Sequence, residues 1–342
     1  MKIAIIVNNY GLKYDGIGSY GELECEYLKK FDEVIVYSAN CLNKGVLRRV
    51  FNFGMTHCFI KAYRNFNKDD ADIYLIEYPF VEWNPFFLLS FLLLKSRVKN
   101  NRKKIVLSLH EFERVKYLRK LVINFLCKNS NHILASNESI IRDVTSLNND
   151  LHLRQLPSTL YNEKIIMQNV KKDKNLFVFF GLINKSKAFE EMINSWCVFN
   201  RTKDKRIYIL SSSFLDSKDF TDDIIYKYMC DDEEILEIMM KCAFCINPII
   251  PNIDEKNSTF KTATTTGCIT IGKFGETFKN LDFVIDMDDY SEESFIKSFD
   301  YVHSFSDEKI NLLSESAKDY SKSFIPENCL KKTRDILLDI LK

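Results

Sequence analysis

Residues 2–24 read KIAIIVNNYGLKYDGIGSYGELE, and this stretch decides the fold. The apolar run 2–8 has the length and composition of a buried strand, a loop containing glycines follows it, and a helix is predicted from residue 18. A strand that passes through a glycine turn into a helix opens a doubly wound α/β domain. The stretch therefore predicts a parallel sheet with helices on its faces.

The same alternation of strand and helix continues along the chain, which is typical of parallel sheets covered on both faces. Strands are predicted at 2–8, 33–38, 72–78, 104–110, 132–136 and 151–156, and in a second series at 176–181, 205–212, 243–249, 268–272 and 282–287. The polar segment 158–175 separates the two series. We therefore predict an N-terminal domain over 1–160 and a C-terminal domain over 161–326.

Length and composition agree with this division. A chain of 342 residues is about right for two domains of roughly 150 residues each. Apolar residues make up 46% and charged residues 28%, which excludes a disordered or low-complexity protein. The net charge of +1 gives no overall attraction to nucleic acid, so no nucleic-acid partner is expected.

The cysteines and the apolar segments predict a cytoplasmic protein. Ten cysteines are scattered along the chain in the manner of free thiols in a reducing compartment. Cys242 and Cys245 form a CxxC, but positions three apart on a strand point to opposite faces, so we expect no metal there. No signal peptide is found at the N-terminus, and the longest apolar run, 85–94, is about half of a membrane span.

The glycine loop has competing interpretations. Gly16, Gly18 and Gly21 match GxGxxG, but a dinucleotide site needs the glycines directly at the strand end and an acidic residue after the second strand. Neither is present. Gly16 and Gly18 are instead predicted to let backbone amides approach a phosphate or sugar at the start of a helix, with a plain connecting loop as the alternative.

Four segments taken together carry a family resemblance. They are NNYGLKYDGIGSY (8–20), VLSLHEFERVKYLRKLV (106–122) with SNHILASNESI (130–140), FFGLINKSKAFEEMINSW (179–196), and the stretch 231–272 that ends in GCITIG. In this order the segments resemble the family 4 glycosyltransferases of the GT-B fold, especially those that build bacterial surface polysaccharides. The likeness covers nearly the whole chain.

This resemblance implies two doubly wound Rossmann-like domains facing a cleft, with the closing helix 327–342 packed back on the N-terminal domain. It implies transfer of a hexose or related sugar from a nucleoside-diphosphate sugar to a glycan or a lipid-linked oligosaccharide. No metal and no other cofactor is expected, because the family manages the diphosphate charge without one. Rival interpretations are a nucleotide-sugar 2-epimerase of the same fold and a catalytically degenerate partner subunit.

The C-terminal domain is expected to bind the donor. Lys187 starts a helix after a strand end, where its ammonium group and the helix N-terminus could face a diphosphate, and Asn184 could contact the same phosphate. A second anion site is predicted at Asn257, Ser258 and Thr259, whose side chains suit a helix N-cap. Ordinary capping and a solvated surface lysine are the alternatives.

The sequence departs from the family pattern at three positions. Leu182 stands where an arginine is frequent and Ala188 where a glycine is usual. Of two glutamates eight positions apart, the first is matched in charge by Asp254, whereas Thr262 stands at the second and is kept as a donor-binding candidate. These three differences keep the degenerate partner subunit open as an interpretation.

The N-terminal domain is expected to supply any catalytic base. His110 and Glu111 end a strand that should be central in the first sheet, at the edge where open α/β sheets bind ligands. His110 could bond the donor sugar or accept a proton from the acceptor, and Glu111 and Asp15 are the other base candidates. A structural histidine satisfied by backbone is the alternative.

Residues 85–125 raise the question of membrane contact. An apolar helix runs into a cluster of basic residues at 95–104, and a second basic helix places Val115, Leu118, Val122 and Phe125 along one stripe. Such segments can lie on an anionic leaflet. The sequence is therefore compatible with peripheral binding to the inner face of the membrane, with an ordinary buried core as the alternative.

Overall fold

Two six-stranded sheets, parallel throughout, organise the chain. A computed structural model of the protein describes residues 1–11, 16–39, 53–79, 86–112, 117–184, 187–215 and 220–342. One sheet belongs to a unit formed by Met1–Thr159 with Pro326–Lys342, and the other to a unit formed by Leu160–Ile325. The predicted fold class, two doubly wound α/β units, is confirmed.

The strands and helices are numbered in chain order. The strands are β1 (Lys2–Val7), β2 (Glu33–Ser38), β3 (Ile73–Tyr78), β4 (Lys104–Leu109), β5 (His132–Ala135), β6 (Leu151–Leu153), β7 (Asp173–Phe180), β8 (Arg206–Ser211), β9 (Ile224–Tyr228), β10 (Cys242–Ile246), β11 (Ile269–Gly272) and β12 (Val284–Asp286). The described helices are α1 (Gly16–Leu28), α2 (Gly54–Asp69), α3 (Phe86–Asn100), α4 (Tyr117–Asn129), α5 (Glu138–Val144), α6 (Glu163–Ile166), α7 (Phe189–Phe199), α8 (Asp232–Lys241), α9 (Ser258–Thr265), α10 (Glu292–His303), α11 (Asp307–Ser321) and α12 (Pro326–Ile340).

The first sheet has the strand order β2-β1-β3-β4-β5-β6 and is covered by helices on both faces. Because side chains alternate across a strand, Ala4 and Ile6 of β1 pack with α2, α3 and α4, while Ile3 and Ile5 pack with α1 and α12. The C-terminal helix α12 thus belongs to the same core as the first strand. Arg334 of α12 also donates to Asp32 over 2.6 Å.

The second sheet has the order β12-β11-β10-β7-β8-β9. Its core is aromatic: Phe177 packs against Trp196 and Phe244 with ring centroids 5.0 and 4.8 Å apart. Strand β9 is absent from the sequence prediction. It is an edge strand whose residues after Ile224 are only partly buried, so its sequence IIYKY lacks the continuous apolar run of an interior strand.

Other predictions need correction or fall outside the described residues. Helix α2 begins at Gly54 and ends at Asp69; residues 40–52 are not described. In the second basic helix, Val122 and Phe125 pack on the core, so this part of the proposed membrane stripe is interior, while residues 113–116 are not described.

The threonines that follow Lys261 are buried in and just after α9. The hydroxyls of Thr264 and Thr265 donate to the carbonyl of Lys261, and that of Thr266 donates to Thr262. Each hydroxyl is therefore satisfied by the preceding turn of the helix, which lets threonine sit in an apolar environment.

Neither a metal cluster nor a membrane span is found in the described part of the chain. No group of three or more His, Cys, Asp or Glu side chains there is placed to hold a metal ion. None of the helices described is long and apolar enough to cross a bilayer.

Leu337→Ala is expected to destabilise the first unit by about 2–5 kcal/mol, because the side chain is fully buried between α12 and the sheet and its loss leaves a cavity. Leu341→Ala is the matched control: this leucine lies near the same chain end but is 37% exposed, and its loss should change stability by about 0.5 kcal/mol. Equal effects of the two substitutions on urea unfolding would contradict the packing of α12.

A buried charge network and a partly buried lysine at the sheet edges

His110 lies at the carboxyl end of the first sheet, directly after β4. Its ring is turned inward: Nε2 is 2.5 Å from Glu77 Oε2 and 3.3 Å from Ser108 Oγ. Glu77 of β3 and Ser108 of β4 are paired in register, so their side chains lie side by side on the sheet face covered by α1. The ring of Tyr20 on α1 contacts the His110 ring edge-on at 5.4 Å.

Arg154 joins this group from the residue after β6. Its guanidinium donates to Glu77 Oε2 over 3.0 Å, to Glu24 Oε1 of α1 over 3.1 Å, and to Ser108 Oγ. We call Glu24, Glu77, Ser108, His110 and Arg154 the buried network. All five side chains are buried, with Glu24, Glu77 and Ser108 fully so.

Burial and mutual charge set the ionisation of the network. Burial opposes the charge on Glu77, but the Arg154 guanidinium and the bonds from His110 and Ser108 outweigh it and hold the pKa of Glu77 below its usual range. Burial and then the Glu77 charge raise the pKa of Glu24. Burial lowers the pKa of His110. At neutral pH the network therefore holds one cation, Arg154, and one anion, Glu77.

The other candidates of the first unit lie around this edge. Glu111 follows His110 and is exposed, Gly16 and Gly18 form the first turn of α1, and Asp15 lies outside the described residues. Asn8, directly after β1, is buried with an Oδ1 that has no hydrogen-bond partner among the described residues. Of the candidates in this unit that the structure describes, only His110 enters the network.

Lys187 lies at the carboxyl end of the second sheet, where the chain leaves β7. Its Nζ is 3.4 Å from the carbonyl oxygen of Phe180 and 4.7 Å from the centre of the Phe179 ring. No carboxylate of the described residues forms a salt bridge with it. Burial lowers the pKa of Lys187 to about 8. This ammonium group has lost part of its hydration without gaining a counter-ion.

Gly181 makes the approach of Lys187 to the backbone feasible. A Cβ at this glycine would lie 2.6 Å from Lys187 Nζ and 3.4 Å from Thr259 Oγ1, and its φ of +125° is one that other residues rarely adopt. Thr259 donates to the same Phe180 carbonyl over 3.2 Å. The structure thus brings together Lys187 and Thr259, two residues that are 72 positions apart in the sequence.

Asn257 caps α9 as its residue type predicts, accepting from the Phe260 amide over 2.7 Å and from Asn247 Nδ2 over 2.9 Å. Asn247 follows β10 and is fully buried, and its Oδ1 has no partner among the described residues. Ser258 is exposed at the helix start, and Asn184 accepts from the Lys187 amide over 3.0 Å. Thr262 is fully buried inside α9.

Comparison with known proteins finds solved structures with the same architecture. No protein-family model matches the sequence, and neither does any curated protein. A glycosyltransferase from Rickettsia africae has a TM-score of 0.70 at 14% identity, covering 100% of this chain and 98% of that one. An alpha-glucosyltransferase solved with UDP-glucose and DNA containing an abasic site has a TM-score of 0.66 at 15% identity, with 99% of both chains covered.

An epimerase shares the same architecture. The UDP-GlcNAc 2-epimerase from Methanocaldococcus jannaschii has a TM-score of 0.61 at 12% identity, with 99% of both chains covered. The fold is the GT-B fold. At these identities the likeness establishes the fold, whereas the activity has to be argued from the site.

Four residues at these two sheet edges were not identified from the sequence: Glu24, Glu77, Arg154 and Asn247. Glu77 had a signal, since a carboxylate inside the apolar strand IYLIEY is unusual for a buried parallel strand. Arg154 and Glu24 had none, because they lie 130 positions apart and only the fold brings them together.

Gly181→Ala is expected to lower stability by about 1–3 kcal/mol, since alanine is strained at this φ, and to displace Lys187 Nζ. Gly16→Ala serves as the control, because a Cβ there meets no heavy atom within 4 Å. Thermal unfolding of both variants measures the difference, and a Gly181→Ala protein as stable as the Gly16→Ala protein would refute the assigned backbone conformation.

Proposed function

We propose that this protein is a glycosyltransferase that moves a hexose or related sugar from a nucleoside-diphosphate sugar to a glycan or lipid-linked acceptor in bacterial surface polysaccharide synthesis, without a metal. The observation that carries the proposal is Lys187, a partly buried ammonium group without a carboxylate partner among the described residues. Burying a cation is costly unless an anion joins it. A diphosphate supplies that anion.

Sugar transfer from a nucleoside diphosphate requires a cation close to the diphosphate. When the bond between the sugar and the diphosphate breaks, the electron pair moves to the diphosphate oxygen, and cations or amide dipoles already aimed there stabilise the charge. Lys187 would meet the developing charge, and the exposed Ser258 and the free amides at the start of α9 would bind phosphate oxygens. The conformation of this edge would be maintained by Thr259, Asn257 and Asn184. Thr262 would pack inside α9 and support the helix.

The first unit would contribute the acceptor side of the reaction. We propose that His110 accepts a hydrogen bond from a sugar hydroxyl, with Glu111 and Asp15 as further base candidates and with Gly16 and Gly18 providing close backbone approach. In an inverting reaction one of the three acidic or basic groups takes the acceptor proton. In a retaining reaction the leaving phosphate can take it instead.

The acceptor class rests on the sequence resemblance and the charge. One neighbour was solved with DNA, yet the present chain has a net charge of +1 and no overall attraction to a polyanion. A glycan or a lipid-linked oligosaccharide fits that charge better. DNA is tested beside these two as a competing acceptor when sugar transfer is assayed.

UDP and UDP-sugars are expected to raise the melting temperature, because a ligand that binds only the folded protein stabilises it by about 2.7 kcal/mol at a hundredfold excess over Kd. Lys187→Met should weaken binding by about 1.5–3 kcal/mol, roughly tenfold or more. Lys171→Met is the control, since this lysine of the same unit is exposed and pairs with Asp307 on the surface. Titration calorimetry gives the affinities.

The same lysine predicts the pH dependence of binding. Its pKa of about 8 means that the ammonium is charged below that value and neutral above it, so affinity for UDP should fall as pH rises from about 7 to about 9.5. Cys245 is the titratable neighbour whose charge affects it. A pH profile in Lys187→Met identical to that of the unaltered protein would show that Lys187 does not bind the diphosphate.

The 2-epimerase alternative has a specific support, the epimerase neighbours. The two activities separate in one assay. An epimerase converts the nucleotide sugar when no acceptor is present, whereas a transferase releases UDP at a substantial rate only when an acceptor is added. A degenerate partner subunit would bind the nucleotide sugar and do neither.

We also propose that α3 contacts a membrane. Its outward face, formed by Phe86, Leu89, Leu92 and Leu93, is apolar, and Phe86, Leu89 and Leu93 are 55%, 59% and 51% exposed. An exposed apolar stripe of this kind is typical of a docking surface. The nearby basic residues contribute less than the sequence suggests, because Lys103 already pairs with Asp70 and Asp72.

The double substitution Leu89→Asp with Leu93→Asp should abolish binding to vesicles of anionic lipid, because burial of these side chains in the interface supplies the binding energy. Leu312→Asp is the control: this leucine of α11 is 68% exposed but lies in the other unit. Vesicle flotation measures the bound fraction. Absence of binding by the unaltered protein at low salt would refute membrane contact.

A further inference from the structure

The stability of the fold does not explain why the buried network contains charged side chains. Taking charged groups out of water costs several kcal/mol per ion, and a well-packed apolar set of similar volume is often at least as stable as a buried ion pair. The network nevertheless places Arg154, Glu77 and Glu24 in the interior, where none of them is more than 1% exposed. Glu77 and Arg154 both contact the ring of His110, and Glu24 contacts Arg154.

The hydrogen bonds determine which nitrogen of His110 carries the proton. Arg154 Nη2 has two hydrogens, and they are taken by Glu77 Oε2 and Ser108 Oγ. Nη2 also lies 2.9 Å from His110 Nε2, but Glu77 Oε2 is closer to that nitrogen, at 2.5 Å. Ser108 gives its hydroxyl hydrogen to Glu77 over 2.6 Å. An ionised carboxylate can only accept, so the hydrogen of the 2.5 Å contact is assigned to Nε2 of His110.

A neutral imidazole that is protonated on Nε2 has its lone pair on Nδ1. No residue within the described ranges forms a hydrogen bond with Nδ1 of His110. The lone pair is then the only hydrogen-bonding capacity that the ring has left for a ligand.

We propose that Glu77 is a positioning residue that fixes the tautomer and the orientation of His110, so that Nδ1 is presented as an acceptor to a sugar hydroxyl. The carboxylate does so as the fixed partner of Nε2–H, in the same way that a third group orients a base in catalytic sites. The identity of the hydroxyl rests on the proposed function, whereas the tautomer does not.

Arg154 would serve the same end one step further out. Without Arg154 the buried Glu77 would take up a proton and lose its ability to accept from Nε2–H. The titratable groups that face His110 are Glu77 from β3, Arg154 after β6, Tyr20 from α1 and Glu111 beside it. Glu24 contacts the guanidinium but not the ring, which makes it a suitable control.

The test is the ¹⁵N spectrum of the imidazole rings in the uniformly labelled full-length protein without ligand. The chain has five histidines, and loss of signals in His110→Gln assigns those of His110. At neutral pH we expect Nε2 of His110 to carry the proton and Nδ1 to carry none. In Glu77→Gln the amide can donate as well as accept, so the His110 shifts should move towards a mixture of the two tautomers.

Glu24→Gln is the matched substitution on the other carboxylate of Arg154 and should leave the His110 shifts unchanged. The proposal is overturned if Nδ1 carries the proton in the unaltered protein, or if Glu77→Gln leaves the spectrum as it was. The first of these outcomes needs no variant, so the proposal stays testable even when Glu77→Gln fails to fold.

A kinetic measurement separates positioning from a structural role. Once a donor and an acceptor are known, Glu77→Gln should lower kcat by about 100-fold with little change in KM for the nucleotide sugar, and Glu77→Asp should recover part of the loss. Unchanged kcat in Glu77→Gln would overturn the positioning role. If no nucleotide sugar is ever bound or turned over, the proposed function fails, while the tautomer experiment keeps its own answer.

Discussion

A parallel sheet covered by helices on both faces has no place for polar side chains except where its strands end, and this constraint shapes both units. In β1 and β3 the residues from Ile3 to Val7 and from Ile73 to Ile76 are buried and apolar. All parallel strands of a sheet end on the same side, so the polar residues that follow them are collected along one edge. Glu77 and Ser108 extend this polar edge slightly into the sheet.

The two units use the edge in opposite ways. In the first unit the guanidinium of Arg154 lies between two carboxyl groups, so the charges are balanced internally and the histidine beside them stays neutral. In the second unit Lys187 contacts a carbonyl and an aromatic ring, and no carboxylate of the described residues forms a salt bridge with it. A network whose charges are balanced can orient a neutral hydroxyl, whereas a cation without a carboxylate partner favours the binding of an anion. This difference supports assigning a sugar hydroxyl to one unit and a diphosphate to the other.

Sequence reasoning found residues whose position along a strand or helix carries the information. His110 and Lys187 each stand at or just beyond a strand end, and Asn257 has the side chain of an N-cap, so local pattern was sufficient to select them. It missed β9 because an edge strand needs no continuous apolar run. The hydroxyls of the threonines in α9 are satisfied by a helix carbonyl, a pairing that only the three-dimensional structure shows.

The sequence by itself determined the fold class, because the alternation of apolar strands with helices is a local property that leaves few arrangements other than two parallel sheets. The partners of the selected residues were decided by the tertiary structure alone. Arg154 meets Glu24 across 130 positions and Glu77 across 77, and Lys187 reaches Thr259 only because Gly181 leaves room at the end of β7. Charge neutralisation and close packing act through space, and no spacing along the chain encodes them.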